Sequence, residues 1–139
     1  MTPTLLLRVA AVLAWFHCVT HTIGGVFGAP THGADEIGVI AAMQAHRFDF
    51  MGSLRSYWDF FFGYGLIVAV VLATQGAVFW QLAAMAKRDS ARLRPLLLLF
   101  AVNWAVTAVL SARYFFIAPA ATQALMAACV LAAWATARD

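Results

Sequence analysis

Charge is what this chain lacks. Nine Lys and Arg and six Asp and Glu make up 11% of its 139 residues, where a soluble domain carries about a quarter. Hydrophobic residues supply 64% and the mean hydropathy is +0.84, which excludes an ordinary soluble domain and points to a membrane protein. Cysteine is scarce too. Cys18 and Cys129 lie far apart inside apolar segments, with no CxxC and no Cys/His zinc spacing, so both read as small apolar filler. The net charge of +3 does not imply nucleic acid, because Lys87, Arg88, Arg92 and Arg94 are confined to one short interval between apolar stretches. Basic residues so placed set topology, with lipid headgroups as a secondary contact.

Crossing ~30 Å of hydrocarbon takes ~20 apolar residues at 1.5 Å each. Four stretches approach or exceed that length: 4–28, 57–86, 95–114 and 119–137. The first reads as a retained helix rather than a cleaved leader. Arg8 sits within its apolar run, and His17, Cys18, Thr20, His21 and Thr22 interrupt it. One domain, 1–139, is expected at this length. A tight turn near Ile117-Ala118-Pro119 joins the last two spans. The fold class is therefore all-α, a four-span transmembrane up-down bundle. The positive-inside rule makes the 87–94 loop cytoplasmic and, with an even number of spans, both termini cytoplasmic as well.

The connection 29–56 then faces the outside. Asp35 and Glu36 sit where a helix start favours acids, and Ile37, Ile40, Ala41, Phe48 and Met51 fall on one side of a helical wheel. This predicts an amphipathic interfacial helix between the first and second spans, acting as a lid. Ala120, Ala124, Ala128, Ala132 and Thr136 form a small-residue stripe on the fourth span, and Gly24 with Gly28 a GxxxG on the first. Both favour close packing within the bundle, with a dimer interface as the alternative.

Polar side chains at membrane depth are costly and often mark function. The topology puts His21, Arg55, Asp59, Arg113 and Gln123 all in the outer half, whereas Gln75 and Asn103 lie nearer the middle. His21 and Asp59 are the candidate acid/base pair, a hydrogen bond between them fixing the imidazole tautomer. His17, Arg55, Arg113, Gln123, Tyr57 and Trp58 are candidate ligand contacts. Bland readings stand beside these. Arg55 and Asp59 at i,i+4 neutralise each other, Arg113 snorkels, and the tyrosines and Trp58 form an interface belt. Asn103, Thr107 and Ser111 read as a helix–helix hydrogen-bonding stripe. His17 and His21, one turn apart, have a metal-chelating spacing. A haem between two helices would need a second ligand, and the other spans hold no histidine. No metal ligand is therefore assigned and the cofactor stays open.

His21-Thr-Ile-Gly-Gly25 and Arg55-Ser-Tyr-Trp-Asp-Phe-Phe-Phe-Gly-Tyr-Gly65 resemble segments of small bacterial four-helix membrane proteins that bring no established activity. In layout the chain is also loosely similar to DoxX-like proteins, which have four spans and an early arginine in an apolar first helix, as Arg8 is here. The resemblance implies a multi-pass protein of the bacterial inner membrane and carries over no catalytic residue. Small multidrug transporters share the size, but their essential acid lies in the first span, which has none here. The leading functional expectation is a protein that binds a hydrophobic or amphiphilic ligand in an outer-leaflet polar pocket, with acid/base chemistry as an extension. One alternative is a structural or assembly subunit, partnered by its own copies or a membrane complex. A second is a haem or metal protein. The expected partners are the lipid bilayer and a hydrophobic small molecule or lipid; nucleic acid is not expected.

Overall fold

The structure, a computed structural model, describes residues 1–138, so Asp139 lies outside it. Helix α1 covers Pro3–Thr20 and runs on without a break into a widened turn, His21–Val26. Helix α2 spans Ala34–Ala45, a hairpin follows as β1 (Arg47–Phe50) and β2 (Ser53–Ser56), and α3 spans Tyr57–Met85. A short 3-10 turn, Ala91–Leu93, leads into α4 (Arg94–Tyr114), and α5 covers Ile117–Thr136. Four helical stretches are long and apolar enough to cross a membrane: Pro3–Val26, Tyr57–Met85, Ala91–Tyr114 and Ile117–Thr136. The shortest has 20 residues, ~30 Å of helix at 1.5 Å per residue. This is a multi-pass helical membrane protein. The outward faces agree, because residues such as Val12, Ile67, Val70, Leu99 and Val109 are exposed on all but the last of these helices and Leu125 on α5. Helices apolar all round suit lipid, not water.

Local chemistry explains the ends. Pro3 opens α1 and Pro95 sits in the first turn of α4, where the missing N–H would be unpaired anyway. The same logic lets Pro119 fall inside the first turn of α5, so the turn into that helix comes two residues earlier than expected, at Phe115-Phe116.

The chain divides into two compact units. The first joins Met1–His17 to the described residues from Leu72 onward. Its core is a set of interdigitating apolar side chains, with Leu7, Phe79, Leu97, Met126 and Val130 fully buried. On α4 the buried positions are Leu97, Ala101, Trp104, Ala108 and Ser111, a single stripe at helical spacing. Phe79 meets Phe100 edge-to-face at 5.4 Å. Gly76 gives Trp15 room, since a Cβ there would run into the indole, whose Nε1 donates to Ala73 O at 3.1 Å. Arg8 lies 5.0 Å over the Trp80 ring, a cation–π contact that accommodates a charge within an apolar span. At the other end of the chain Arg94 stacks on Trp134 at 5.0 Å and donates to Ala137 O at 3.5 Å. Ser90 Oγ donates to Arg138 O at 3.1 Å. The start of α4 therefore caps the end of α5, where carbonyls lack helical partners.

Two packing expectations are corrected here. On α5 it is Met126, Val130 and Ala133 that turn inward with Ala120, while Ala124 and Ala128 of the alanine stripe face outward. The larger side chains fill the core better than alanine, so they take the buried face. The Asn103, Thr107, Ser111 stripe also splits. Ser111 is buried, Thr107 bonds back to Trp104 O at 3.1 Å, and Asn103 is exposed.

The second unit, Cys18–Val71, holds the end of α1, the widened turn, α2, the hairpin and the first half of α3. Its buried residues, among those described, are Val26 and Ser56. Here the expected interfacial helix is shorter than the wheel suggested. It ends at Ala45, Phe48 lies on β1, and Met51 sits in the hairpin turn. Arg47-Phe48-Asp49-Phe50 alternates with a period of two, and Gly52 supplies the turn, so strand pairing outcompetes further helix.

A candidate ligand cleft in the second unit

The widened turn is the first determinant of the site. Phe27 N–H donates to Thr22 O, five residues back, at 3.0 Å, the spacing of a π-helical turn, a feature frequent at functional sites. Thr22 Oγ1 bonds Cys18 O at 2.7 Å, and the chain then ends its helix on glycine. A Cβ at Gly28 would collide with the Gly24 carbonyl, while one at Gly24 would meet open space. The GxxxG thus serves its own turn rather than a neighbouring helix.

The same segment is tied to α3 by side chains that reach backbone carbonyls. Cys18 Sγ donates to Ala69 O at 3.3 Å, and His21 Nε2 lies 3.0 Å from Gly65 O. A carbonyl can only accept, so Nε2 carries the proton and Nδ1 is left facing Gly25. Gly65 permits the approach, because a Cβ there would sit 3.0 Å from Val26 Cγ2.

Asp59 has a different partner. Ser56 N–H donates to Asp59 Oδ2 at 2.8 Å and Asp59 N–H to Ser56 Oγ at 3.2 Å. This reciprocal pair is a capping box that starts α3. The expected bond between His21 and Asp59 is therefore replaced by two separate ones, each to backbone or cap. Arg55 is not on a helix with Asp59 at all. It belongs to β2, it donates to Leu54 O at 3.0 Å, and among the described residues no ion pair joins it to Asp59. Tyr57 stacks on His46 at 5.8 Å. His17, Arg113 and Gln123 belong to the first unit. There His17 is buried, Arg113 lies 5.4 Å over its neighbour Tyr114, and Gln123 holds a buried Oε1. Among the described residues no group of three His, Cys, Asp or Glu side chains is placed to hold a metal.

What the second unit does form is an open cleft of about 420 Å³. Val26, Phe27, Gly28 and Pro30 of the turn make one wall. Ile37, Ile40, Ala41 and Gln44 of α2 make a second, and Trp58 and Phe62 of α3 close it. Rings brace it, Phe27 against Phe62 edge-to-face at 5.6 Å and Phe62 against Trp58 at 6.3 Å. No family model, curated protein or solved structure matches this chain. The cleft's chemistry is thus read from its walls. No charged side chain lines it, and Gln44 with the Trp58 indole supplies its polar side chains.

Of the residues named from sequence, Trp58 lines the cleft, and the apolar face Ile37, Ile40, Ala41 becomes a wall. Val26, Phe27, Pro30, Gln44 and Phe62 were missed. Pro30 and Gln44 carry no sequence signal for this role. The Phe60-Phe-Phe62 run is one in which only the fold distinguishes Phe62.

Proposed function

We propose that this multi-pass protein binds a hydrophobic or amphiphilic ligand, with the apolar body of the ligand in the cleft between the widened turn, α2 and α3. The observation that carries the reading is the cleft itself, open on one side, about 420 Å³ and walled mainly by apolar and aromatic side chains, a volume in the range of small-molecule sites. An uncharged lining favours a neutral moiety there, since a buried unpaired charge would be heavily penalised. Gln44 and the Trp58 N–H would orient it. The bonds of His21 to Gly65 O and of Asp59 to Ser56 favour structural roles for both, so the reading is binding rather than acid/base catalysis.

The four spans run up and down with both termini cytoplasmic, on the strength of the basic 87–94 loop. The cleft then lies at the outer leaflet, and the likeness to small four-helix bacterial proteins supports a bacterial inner membrane. Mass spectrometry of small molecules that travel with gently solubilised protein tests the binding. Ile40→Trp, which fills the cleft, should abolish co-purification of a lipid-like molecule that the native protein retains. Equal retention by both would end the proposal.

A second reading, an assembly subunit, is favoured by the outward-facing Ala124 and Ala128 and the exposed Asn103, features that help membrane helices associate. A stable membrane partner on pull-down, with no bound small molecule, would select it.

A further inference from the structure

We propose that the β1–β2 hairpin is an interfacial anchor whose tip, Phe50 and Met51 with Leu54, sits among the lipids at the boundary of headgroups and acyl chains. The proposal rests on α3 being a membrane span and not on what the cleft holds.

The argument begins with the turn. Met51 and Gly52 have φ of 53° and 80°, the pattern of a two-residue hairpin turn in which both central residues are left-handed. Glycine, asparagine and aspartate take such positions readily, whereas a long side chain at positive φ is uncommon. Methionine here gains nothing from the protein in return, as its side chain is 92% exposed. Phe50 and Leu54 beside it are each more than half exposed. Met51 thus projects from a strained tip uncovered by its own unit, flanked by Phe50 and Leu54, each of which leaves about half its surface open.

The tip is also stiff. Asp49 Oδ1 accepts from Gly52 N–H at 3.0 Å, so the carboxylate nearest the tip is engaged by the turn. Phe48 packs on Tyr57 at 5.0 Å, and Phe50 meets Phe60 edge-to-face at 5.4 Å. These contacts hold the hairpin against the first turn of α3. No loop intervenes, since β2 ends at Ser56 and α3 starts at Tyr57. The hairpin is therefore fixed at the level where a membrane span begins, and its apolar tip continues the aromatic surface of Tyr57, Phe60 and Phe61. Aromatic rings at a span end are what the membrane–water interface selects. The four-residue strands reach ~13 Å at ~3.3 Å per residue, enough to carry the tip through an interfacial layer of ~5–8 Å. Asp49, paired across the ladder with Leu54, would stop it short of the hydrocarbon centre.

Site-directed spin labelling tests this in lipid vesicles containing the full chain with Cys18→Ala and Cys129→Ala. Labels go singly at Met51→Cys, Leu54→Cys, Thr31→Cys as an aqueous reference and the outward-facing Val102→Cys as a mid-span reference. The expected result is that labels at 51 and 54 collide with oxygen in preference to a water-soluble nickel chelate, at a depth shallower than 102. The label at 31 should show the reverse preference. If 51 and 54 are as open to nickel as 31, the tip is in water and the proposal fails. If they are shielded from both reagents, the tip is covered by protein, a second copy in purified vesicles, and the proposal fails equally. Reading two tip positions keeps the test valid should Met51→Cys alone disturb the turn.

Discussion

Gly24 and Gly28 look equivalent in the sequence and are not equivalent in the molecule. Gly28 lies against the Gly24 carbonyl, and Gly24 faces open space. Gly28→Ala should destabilise the protein by about 1–3 kcal/mol, the cost of forcing atoms into a filled site. Gly24→Ala should change stability by less than about 1 kcal/mol, since alanine is also the better helix former. Thermal midpoints in detergent distinguish them, and equal effects would restore a helix-packing role for the pair. At His21 the decisive fact is the acceptor. Because Gly65 O accepts from Nε2, His21→Phe should cost about 0.5–1.5 kcal/mol, the net worth of one hydrogen bond. His21→Gln, which can still donate, should cost less. A larger loss on ligand retention than on thermal stability would return His21 to the ligand site.

At the scale of elements, two helix starts carry the predictions. Ser56 is buried and shares the capping box with Asp59, so Ser56→Ala should lower stability by about 1 kcal/mol. Asp59→Ala should act in the same direction, and Asp59→Asn less so because one acceptor oxygen remains. Helix α2 is anchored differently. Glu36 reaches back to the His32 backbone N–H at 2.7 Å, and that hydrogen bond holds its carboxyl below the ordinary value of 4.5, helped by the His32 ring at 3.3 Å. A depressed carboxylate stabilises the fold above its unfolded pKa and ceases to do so as pH falls through the folded one. The anchor should thus be intact above pH 4.5 and be lost below it. The His32 amide resonance should titrate with a midpoint under 4.5, and Glu36→Gln should abolish the transition.

The elements also show what was readable. Ser56-x-x-Asp59 ahead of an apolar run is a cap signature, yet Asp59 four residues after Arg55 reads equally well as a charge pair. Only the helix boundary at Tyr57 separates the two. The hairpin was obscured for a related reason. A wheel drawn through Ile37, Ile40, Ala41, Phe48 and Met51 fits a helix, and a Met-Gly turn lacks the Asn-Gly mark by which hairpins are usually found.

For the whole molecule the prediction concerns sidedness. With native cysteines replaced, Ser90→Cys in intact cells should resist a membrane-impermeant thiol reagent, and Gly33→Cys should react. Reversed labelling would turn the cleft toward the cytoplasm and remove its outer-leaflet assignment. Four spans, their lengths and the placing of basic residues between the second and third were determined by the sequence alone. A bilayer tests each segment separately for length and hydropathy, which are sums over neighbouring residues. Which polar groups meet is not such a sum. It depends on how each helix is rotated and where it starts, and a shift of one residue turns a side chain by ~100°. Tertiary structure therefore decided that Met126 and Val130 rather than the alanine stripe face inward, that His21 finds Gly65 O and Asp59 finds Ser56, and that Phe27, Gln44 and Phe62 share a cleft.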